Sequence, residues 1–129
     1  MIRPEDLQQF TGSESIFRHP LNPKVAYTEG IQYLAEKAGA YWLVDAIASH
    51  LGTKQHTDAA ECDPRIDYLH FWSLHKGANH SATLFAKADS PEEPFIVQQI
   101  DFTDFPLDEI DIWVAYDGHH WTLYLPSEH

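Results

Sequence analysis

The chain has 129 residues, of which 43% are hydrophobic and 13% aromatic, and its formal net charge is −12. This size and composition predict a single domain over residues 1–129 with a sizeable buried core. The single cysteine, Cys62, excludes an internal disulfide. Ten acidic residues and no lysine or arginine follow Lys87, which argues against direct nucleic-acid binding.

The distribution of apolar residues predicts a soluble cytoplasmic protein. No N-terminal segment combines a basic start with an apolar run, so no signal peptide is expected. No apolar stretch approaches the roughly 18 residues of a membrane span, so no membrane contact is expected either.

Helical signals dominate the first half of the chain. Pro4 and the acids after it are typical of a short opening helix. Thr28 is suited to cap a helix, and apolar residues then recur at helical spacing through about residues 29–51. Small residues at 38–40 divide this segment, which predicts two helices or one kinked helix. Residues 53–66 are polar and are predicted to connect the helices to a sheet.

Strand signals begin at residue 67, where the hydrophobic period changes from about 3.6 to 2. The predicted strands are 67–76, 80–88, 95–102 and the two arms of a hairpin around Asp117-Gly118. Helices first and strands afterwards predict an α+β fold. We expect the helices of about 29–51 to pack on one face of a five-stranded antiparallel meander of about 67–125.

The last hairpin predicts which side chains share a face. Asp-Gly favours a two-residue type I′ turn. The expected pairs are Tyr116 with His119, Val114 with Trp121, Ile112 with Leu123, and Ile110 with Leu125. Side chains alternate along a strand, so these eight residues form the predicted core face.

The first hairpin is predicted to turn at residues 76–79. The expected pairs are His75 with His80, Ser73 with Ala82, Phe71 with Leu84, and Leu69 with Ala86. This register places His70 and Trp72 on the opposite face of the sheet.

The second sheet face is the predicted interaction site, because grouped aromatic side chains mark interfaces or ligand sites. Its predicted members are His70, Trp72, Phe85, Trp113, His120, Thr122 and Tyr124. Three alternatives remain open for this face. In the first, the face is covered by the N-terminal residues Phe10, Ile16 and Phe17. In the second, a second copy of the chain binds there, and in the third, a foreign partner or a small ligand does.

An acidic cluster and nine histidines are the remaining candidates for chemistry. The cluster comprises Asp101, Asp104, Asp108, Glu109 and Asp111. Paired carboxylates can act as acid and base or bind a hard cation, but these residues also suit local turns. No HxH, HExxH or CxxC spacing is present, so no metal site, cofactor or catalytic residue is predicted.

Two motifs resemble an uncharacterised family of small proteins from bacteria, cyanobacteria and phages. One is Tyr27-x-x-Gly30-x-x-Tyr33-Leu34-Ala35 followed by the AGAYWL run at residues 38–43. The other is TDFPLDEI at residues 103–110, ending in LPSE at residues 125–128. This resemblance implies a compact domain and a mobile-element setting, and it implies no activity, cofactor or catalytic residue.

The sequence therefore leaves three hypotheses for function. The first is a non-enzymatic acidic interaction module that binds a protein partner or associates with itself as a homodimer. The second is an acidic decoy that occupies the DNA-binding site of another protein. The third is a small metal-dependent hydrolase that uses histidines and the acidic cluster.

Overall fold

The computed structural model describes residues 2–10, 16–89 and 93–129. The α-helices are α1 (Pro4–Leu7), α2 (Glu29–Lys37), α3 (Tyr41–His50) and α4 (Lys54–Cys62), and short 3-10 helices lie at Pro64–Asp67, Ala78–His80 and Pro126–Glu128. The strands are β1 (Ile16–Arg18), β2 (Val25–Thr28), β3 (Leu69–Lys76), β4 (Ala82–Lys87), β5 (Ile96–Ile100), β6 (Glu109–Tyr116) and β7 (Trp121–Tyr124).

The strands form one sheet in the order β1-β2-β7-β6-β3-β4-β5. The α+β class is thus confirmed, but the five-stranded antiparallel meander is wrong in three respects. Within the described residues the sheet has seven strands, and β2 pairs with β7 in parallel. In addition, β6 does not lie beside β5 but crosses back to pair with β3.

Two helices form as the pattern at residues 29–51 predicts. The backbone N–H of Ile31 donates to the hydroxyl of Thr28 at 3.4 Å, which caps α2. Gly39 adopts a φ of +61° between α2 and α3, a conformation that glycine reaches without steric cost. The apolar faces of both helices are buried in one core with the sheet. Their buried members are Ile31, Leu34, Ala35, Leu43, Val44, Ile47 and Ala48.

The first hairpin has a different register from the predicted one. Lys76 pairs with Ala82, so five residues rather than four connect β3 to β4. A change of one residue inverts the faces of a strand. His70, Trp72 and Leu74 therefore lie in the core, and Phe71 lies on the opposite face. Two loop residues, Asn79 and His80, have φ values of 57° and 63°, and this left-handed pair accommodates the longer loop.

The last hairpin is shifted by two residues from the prediction. Tyr116 pairs with Trp121, and residues 117–120 form the loop. Asp117 arranges this loop by accepting hydrogen bonds from the backbone N–H groups of His119 and His120 at 2.8 and 2.7 Å. A type I′ turn is absent here, because Asp117 does not have a positive φ. An even shift preserves the faces, so the predicted core members Ile112, Val114, Trp121, Leu123 and Leu125 are buried. Tyr116 and His119, which were also predicted on the core face, are exposed at the end of the hairpin.

Strands β1 and β2 were not predicted from the sequence. The loop between them is arranged by His19, which is only 5% exposed. Its Nδ1 accepts hydrogen bonds from the backbone N–H groups of Leu21 and Asn22. A neutral ring then carries its proton on Nε2, which lies 2.7 Å from Oδ1 of Asp45. This bond ties the β1–β2 loop to α3 and explains the acid at position 45.

The connection from β5 to β6 contributes to the core. Thr103 makes two hydrogen bonds: its N–H donates to the carbonyl of His80 at 2.6 Å, and its hydroxyl accepts from the N–H of Phe105 at 3.1 Å. Phe105 is 1% exposed and packs edge-on against Trp42, with ring centroids 6.4 Å apart. The TDFPLDEI motif thus supplies a core residue as it crosses the end of the first hairpin.

Candidate functional site

The sheet face opposite the core carries an aromatic groove, which we call the open face. Its members are Phe71, Ser73, His75, Phe85, Lys87, Asp111, Trp113 and Tyr124. Most of them, together with Asp89, line a groove of about 520 Å³. This volume falls in the range of about 300–1,000 Å³ that is typical of ligand sites.

Strand pairing brings the aromatic rings of the open face together. Phe71 and Trp113 occupy paired positions on β3 and β6, and their rings meet edge-on with centroids 5.1 Å apart. Trp113 also meets Tyr124 of β7 edge-on at 6.2 Å. These three rings form a continuous aromatic row across three strands, and all three are half-buried.

Polar groups stand beside this row. The hydroxyl of Ser73 donates to Oδ1 of Asp111 at 2.7 Å. The ring of His75 meets Phe85 edge-on at 4.9 Å, while its Nε2 lies 3.5 Å from a carboxylate oxygen of Glu109. The ammonium of Lys87 lies 5.4 Å from the centroid of the Phe85 ring, which is a cation–π contact. The groove thus combines aromatic surface with one cation and exposed carboxylates.

The chain terminus reaches the edge of the open face. The ring of His129 lies 5.0 Å from that of Trp113 and stacks on Tyr124, whose hydroxyl is 2.8 Å from His129 Nδ1. Burial raises the pKa of the Tyr124 phenol above its usual value. Tyr124 is therefore neutral at physiological pH and can donate or accept a hydrogen bond.

N-terminal residues do not cover the open face where the structure describes them. Phe10 packs on Tyr33 of α2, on the other side of the sheet. Phe17 stacks on Tyr27, which projects to the core side. Ile16 lines a small hollow at the β1 edge and is 58% exposed. Residues 11–15 lie outside the described part of the chain.

The predicted interaction face was partly misassigned. Phe85, Trp113 and Tyr124 belong to the open face as predicted, and Thr122 lies on the same side of the sheet, in the hollow at the β1 edge. His70 and Trp72 do not, because the inverted register of the first hairpin buries them to 0% and 1% exposure. His120 lies in the loop before β7, with its Nε2 3.1 Å from the guanidinium of Arg18. The sequence analysis did not place Phe71, Ser73 and His75 on this face. A loop of five residues between β3 and β4, in place of the predicted four, would have placed them there.

The two misassigned residues belong to a buried aromatic cluster with His56. The rings of His56 and His70 lie 5.4 Å apart, and both contact Trp121. His56 Nδ1 accepts the N–H of Gly52, and His70 Nδ1 lies 3.2 Å from the carbonyl of Ile66, so it donates. The Nε2 atoms of both rings and Nε1 of Trp72 are buried without a hydrogen-bond partner.

Burial keeps this histidine pair neutral. Desolvation, together with the nearby His56, lowers the pKa of His70 to about 3. Desolvation also lowers the pKa of His56. Both side chains therefore act as structural, uncharged members of the core at neutral pH.

The acidic cluster does not form a pocket. Asp101, Asp104, Asp108, Glu109 and Asp111 are all exposed. Two of them have local partners, since Asp111 accepts from Ser73 and Glu109 lies beside His75. Within residues 2–10, 16–89 and 93–129, no group of three or more His, Cys, Asp or Glu side chains could hold a metal ion. The residues that a metal-dependent hydrolase would need are thus not brought together in this part of the chain.

Across these same described ranges, no helix has both the length and the apolar character needed to cross a membrane. A family model described as a family of unknown function (DUF6876) matches residues 1–129, so the chain belongs to this family. Neither a curated protein nor a solved structure is significantly similar to it.

Proposed function

We propose that the protein is a non-enzymatic interaction module that binds a protein partner through its open face. Membership of the family assigns no activity, so the proposal is based on the geometry of this face. The observation that carries the proposal is the aromatic row of Phe71, Trp113 and Tyr124, in which Phe71 and Trp113 line the groove and His129 stacks on Tyr124 at the edge. Tryptophan and tyrosine are enriched at binding hot spots, and the aromatic row contains one of each.

The remaining features of the open face support the same role. Its polar groups hydrogen-bond to one another, as Ser73 does to Asp111, so the surface is organised before a partner arrives. The family resemblance to proteins of bacteria and phages agrees with an accessory role in a mobile element. Such a module would work in the cytoplasm and would require no cofactor.

Site-specific photo-crosslinking tests this function. A benzophenone amino acid replaces Phe85 in the full-length protein, which is then irradiated in the cells that produce it. A matched protein carries the same group at Phe102, which is 71% exposed and lies outside the groove. We expect a discrete crosslinked product from position 85 that position 102 does not give.

A second substitution distinguishes specific binding from nonspecific binding. Trp113→Ala removes the central ring of the aromatic row, and its half-buried position on the open face leaves the core intact. The crosslink from position 85 should then disappear while the thermal unfolding transition remains cooperative. Equal products from both positions, or a product indifferent to Trp113→Ala, would refute the proposed function.

A further inference from the structure

The cation already seated on Phe85 indicates what kind of group the groove accepts. We infer that the open face recognises a partner segment that presents arginine side chains, and that Lys87 occupies the position of one such side chain in the free protein. This inference rests on the proposed function and specifies the chemistry of its partner.

The position of Lys87 is the first observation. Its ammonium lies 5.4 Å from the centroid of Phe85, and the ring of His75 meets the same Phe85 ring edge-on with centroids 4.9 Å apart. A ring whose face attracts an ammonium also attracts a guanidinium, which is more weakly hydrated and stacks on aromatic planes. The protein's own lysine thus identifies a cation-binding position inside the groove.

The carboxylates beside the rings are the second observation. Asp111 is exposed and lies two residues along β6 from both Glu109 and Trp113, on the same face of the strand. The hydroxyl of Ser73 binds Oδ1 of Asp111 at 2.7 Å and orients this carboxylate on the open face. A guanidinium that stacks on Trp113 would find an oriented carboxylate beside it, which is the combination that arginine binds through its planar fork.

The charge of the whole chain is the third observation. A net charge of −12, with no lysine or arginine after Lys87, attracts cationic partners and repels a second copy of the same chain. This long-range term favours a basic foreign segment over self-association as the occupant of the open face.

Peptide titration of the uniformly ¹⁵N-labelled full-length protein tests the inference. The probe is a short extended peptide that carries arginine at alternate positions. Its control is the same peptide with citrulline in place of arginine, which keeps the shape and removes the charge. We expect the arginine peptide to shift the Trp113 indole and the amides of β3, β4 and β6, and the citrulline peptide to bind more weakly.

Three variants give the inference its sharpest test, because they differ in sign. Lys87→Met removes the resident cation and should tighten binding by about two- to fivefold, the value of an exposed cation–π contact. Asp111→Asn should weaken binding by about two- to fivefold, as the loss of an exposed ion pair would. Glu36→Gln removes the same formal charge from α2, in the helical layer, and should leave the affinity unchanged.

The outcomes separate this inference from the proposed function. Equal binding of the arginine and citrulline peptides, or no tightening with Lys87→Met, overturns the arginine inference. So do shifts that map to the exposed acids outside the open face. If crosslinks from position 85 nevertheless depend on Trp113, the interaction module stands with another kind of partner. If those crosslinks are also missing, both proposals fail.

Discussion

The hydroxyl of Thr28 donates a hydrogen bond to Oε1 of Glu128 at 2.7 Å, joining the start of α2 to the end of the chain. The same carboxylate oxygen accepts the backbone N–H of Leu125 at 2.9 Å. The two motifs that the sequence marks out, around Gly30 and at LPSE, therefore meet at one carboxylate.

This relationship predicts an energetic coupling between Thr28 and Glu128. Thr28→Ala should cost about 1–2 kcal/mol, because it removes both the cap of α2 and the bond to Glu128. A double-mutant cycle with Glu128→Gln, measured by urea unfolding, should show a coupling of about 1 kcal/mol. Ser49→Ala is the control, since its hydroxyl bonds only the nearby carbonyl of Ala46. Additive effects of Thr28→Ala and Glu128→Gln would contradict the prediction.

Gly30 should resist replacement by alanine although it lies in a helix. Alanine raises helix propensity by about 1 kcal/mol relative to glycine. A Cβ at position 30 would lie 2.5 Å from Oε1 of Glu128 and 2.8 Å from Cδ1 of Leu125. Displacing the bound carboxylate costs more than the propensity gain, because overpacking typically costs about 1–3 kcal/mol. Gly30→Ala should lower the free energy of unfolding, and less so in a Glu128→Ala background. A stabilised Gly30→Ala protein would show this reasoning to be wrong.

Two phenylalanines near the β5–β6 connection form a matched pair. Phe105 is 1% exposed and Phe102 is 71% exposed. Phe105→Ala should destabilise the protein by about 3–5 kcal/mol, because it opens a cavity beneath α3. Phe102→Ala should change stability by less than about 1 kcal/mol. Chemical unfolding of both variants measures the difference, and similar values for the two would disprove the burial argument.

The buried histidine pair predicts that stability falls in mild acid. An unfolded histidine takes up a proton below about pH 6.5, whereas burial holds the pKa of folded His70 at about 3. Between these values the unfolded state binds more protons, so the free energy of unfolding decreases as pH decreases. The free energy of unfolding is unaffected by this titration above about pH 6.5 and falls by about 1.4 kcal/mol per pH unit below it.

His70→Phe tests the assignment, because it removes the titrating group and leaves the carboxylates unchanged. Its loss of stability between pH 7 and pH 5 should be smaller than that of the wild type by up to about 2 kcal/mol. If the variant does not fold, the His70 ring resonances of the wild type serve instead. They should remain those of a neutral imidazole throughout this range, and a protonated ring in the folded protein at pH 5 would rule the argument out.

Loop parity explains why one hairpin could be predicted and the other could not. The loop at residues 117–120 differs from the prediction by an even number of residues, so Val114 and Leu123 remain core residues. The loop of the first hairpin differs by one residue, so His70 and Phe71 exchange faces. Its length depends on a left-handed conformation at both Asn79 and His80, which residues other than glycine adopt only rarely.

Helix α4 (Lys54–Cys62) forms in the segment 53–66 that was predicted to be a connection, whereas α2 and α3 were predicted well because their signals are local. A capping threonine, apolar residues at helical spacing and a glycine between the helices are all visible in the segment itself. Strand β2 has only four residues, and its neighbour β7 lies at the other end of the chain. No local pattern in the sequence indicates a pairing with so distant a strand. Neither the parallel pair nor the number of strands could therefore be predicted.

The parallel pairing of β2 with β7 also has a consequence during synthesis. Val25 pairs with Trp121, and Trp121 N–H donates to the carbonyl of Lys24 at 2.7 Å. A nascent chain therefore emerges from the ribosome with β1 and β2 long before their neighbour exists. Contacts of such large sequence separation form slowly, because closing a long loop costs entropy before the contact compensates for it. Completion of the sheet must therefore wait until translation has delivered β7.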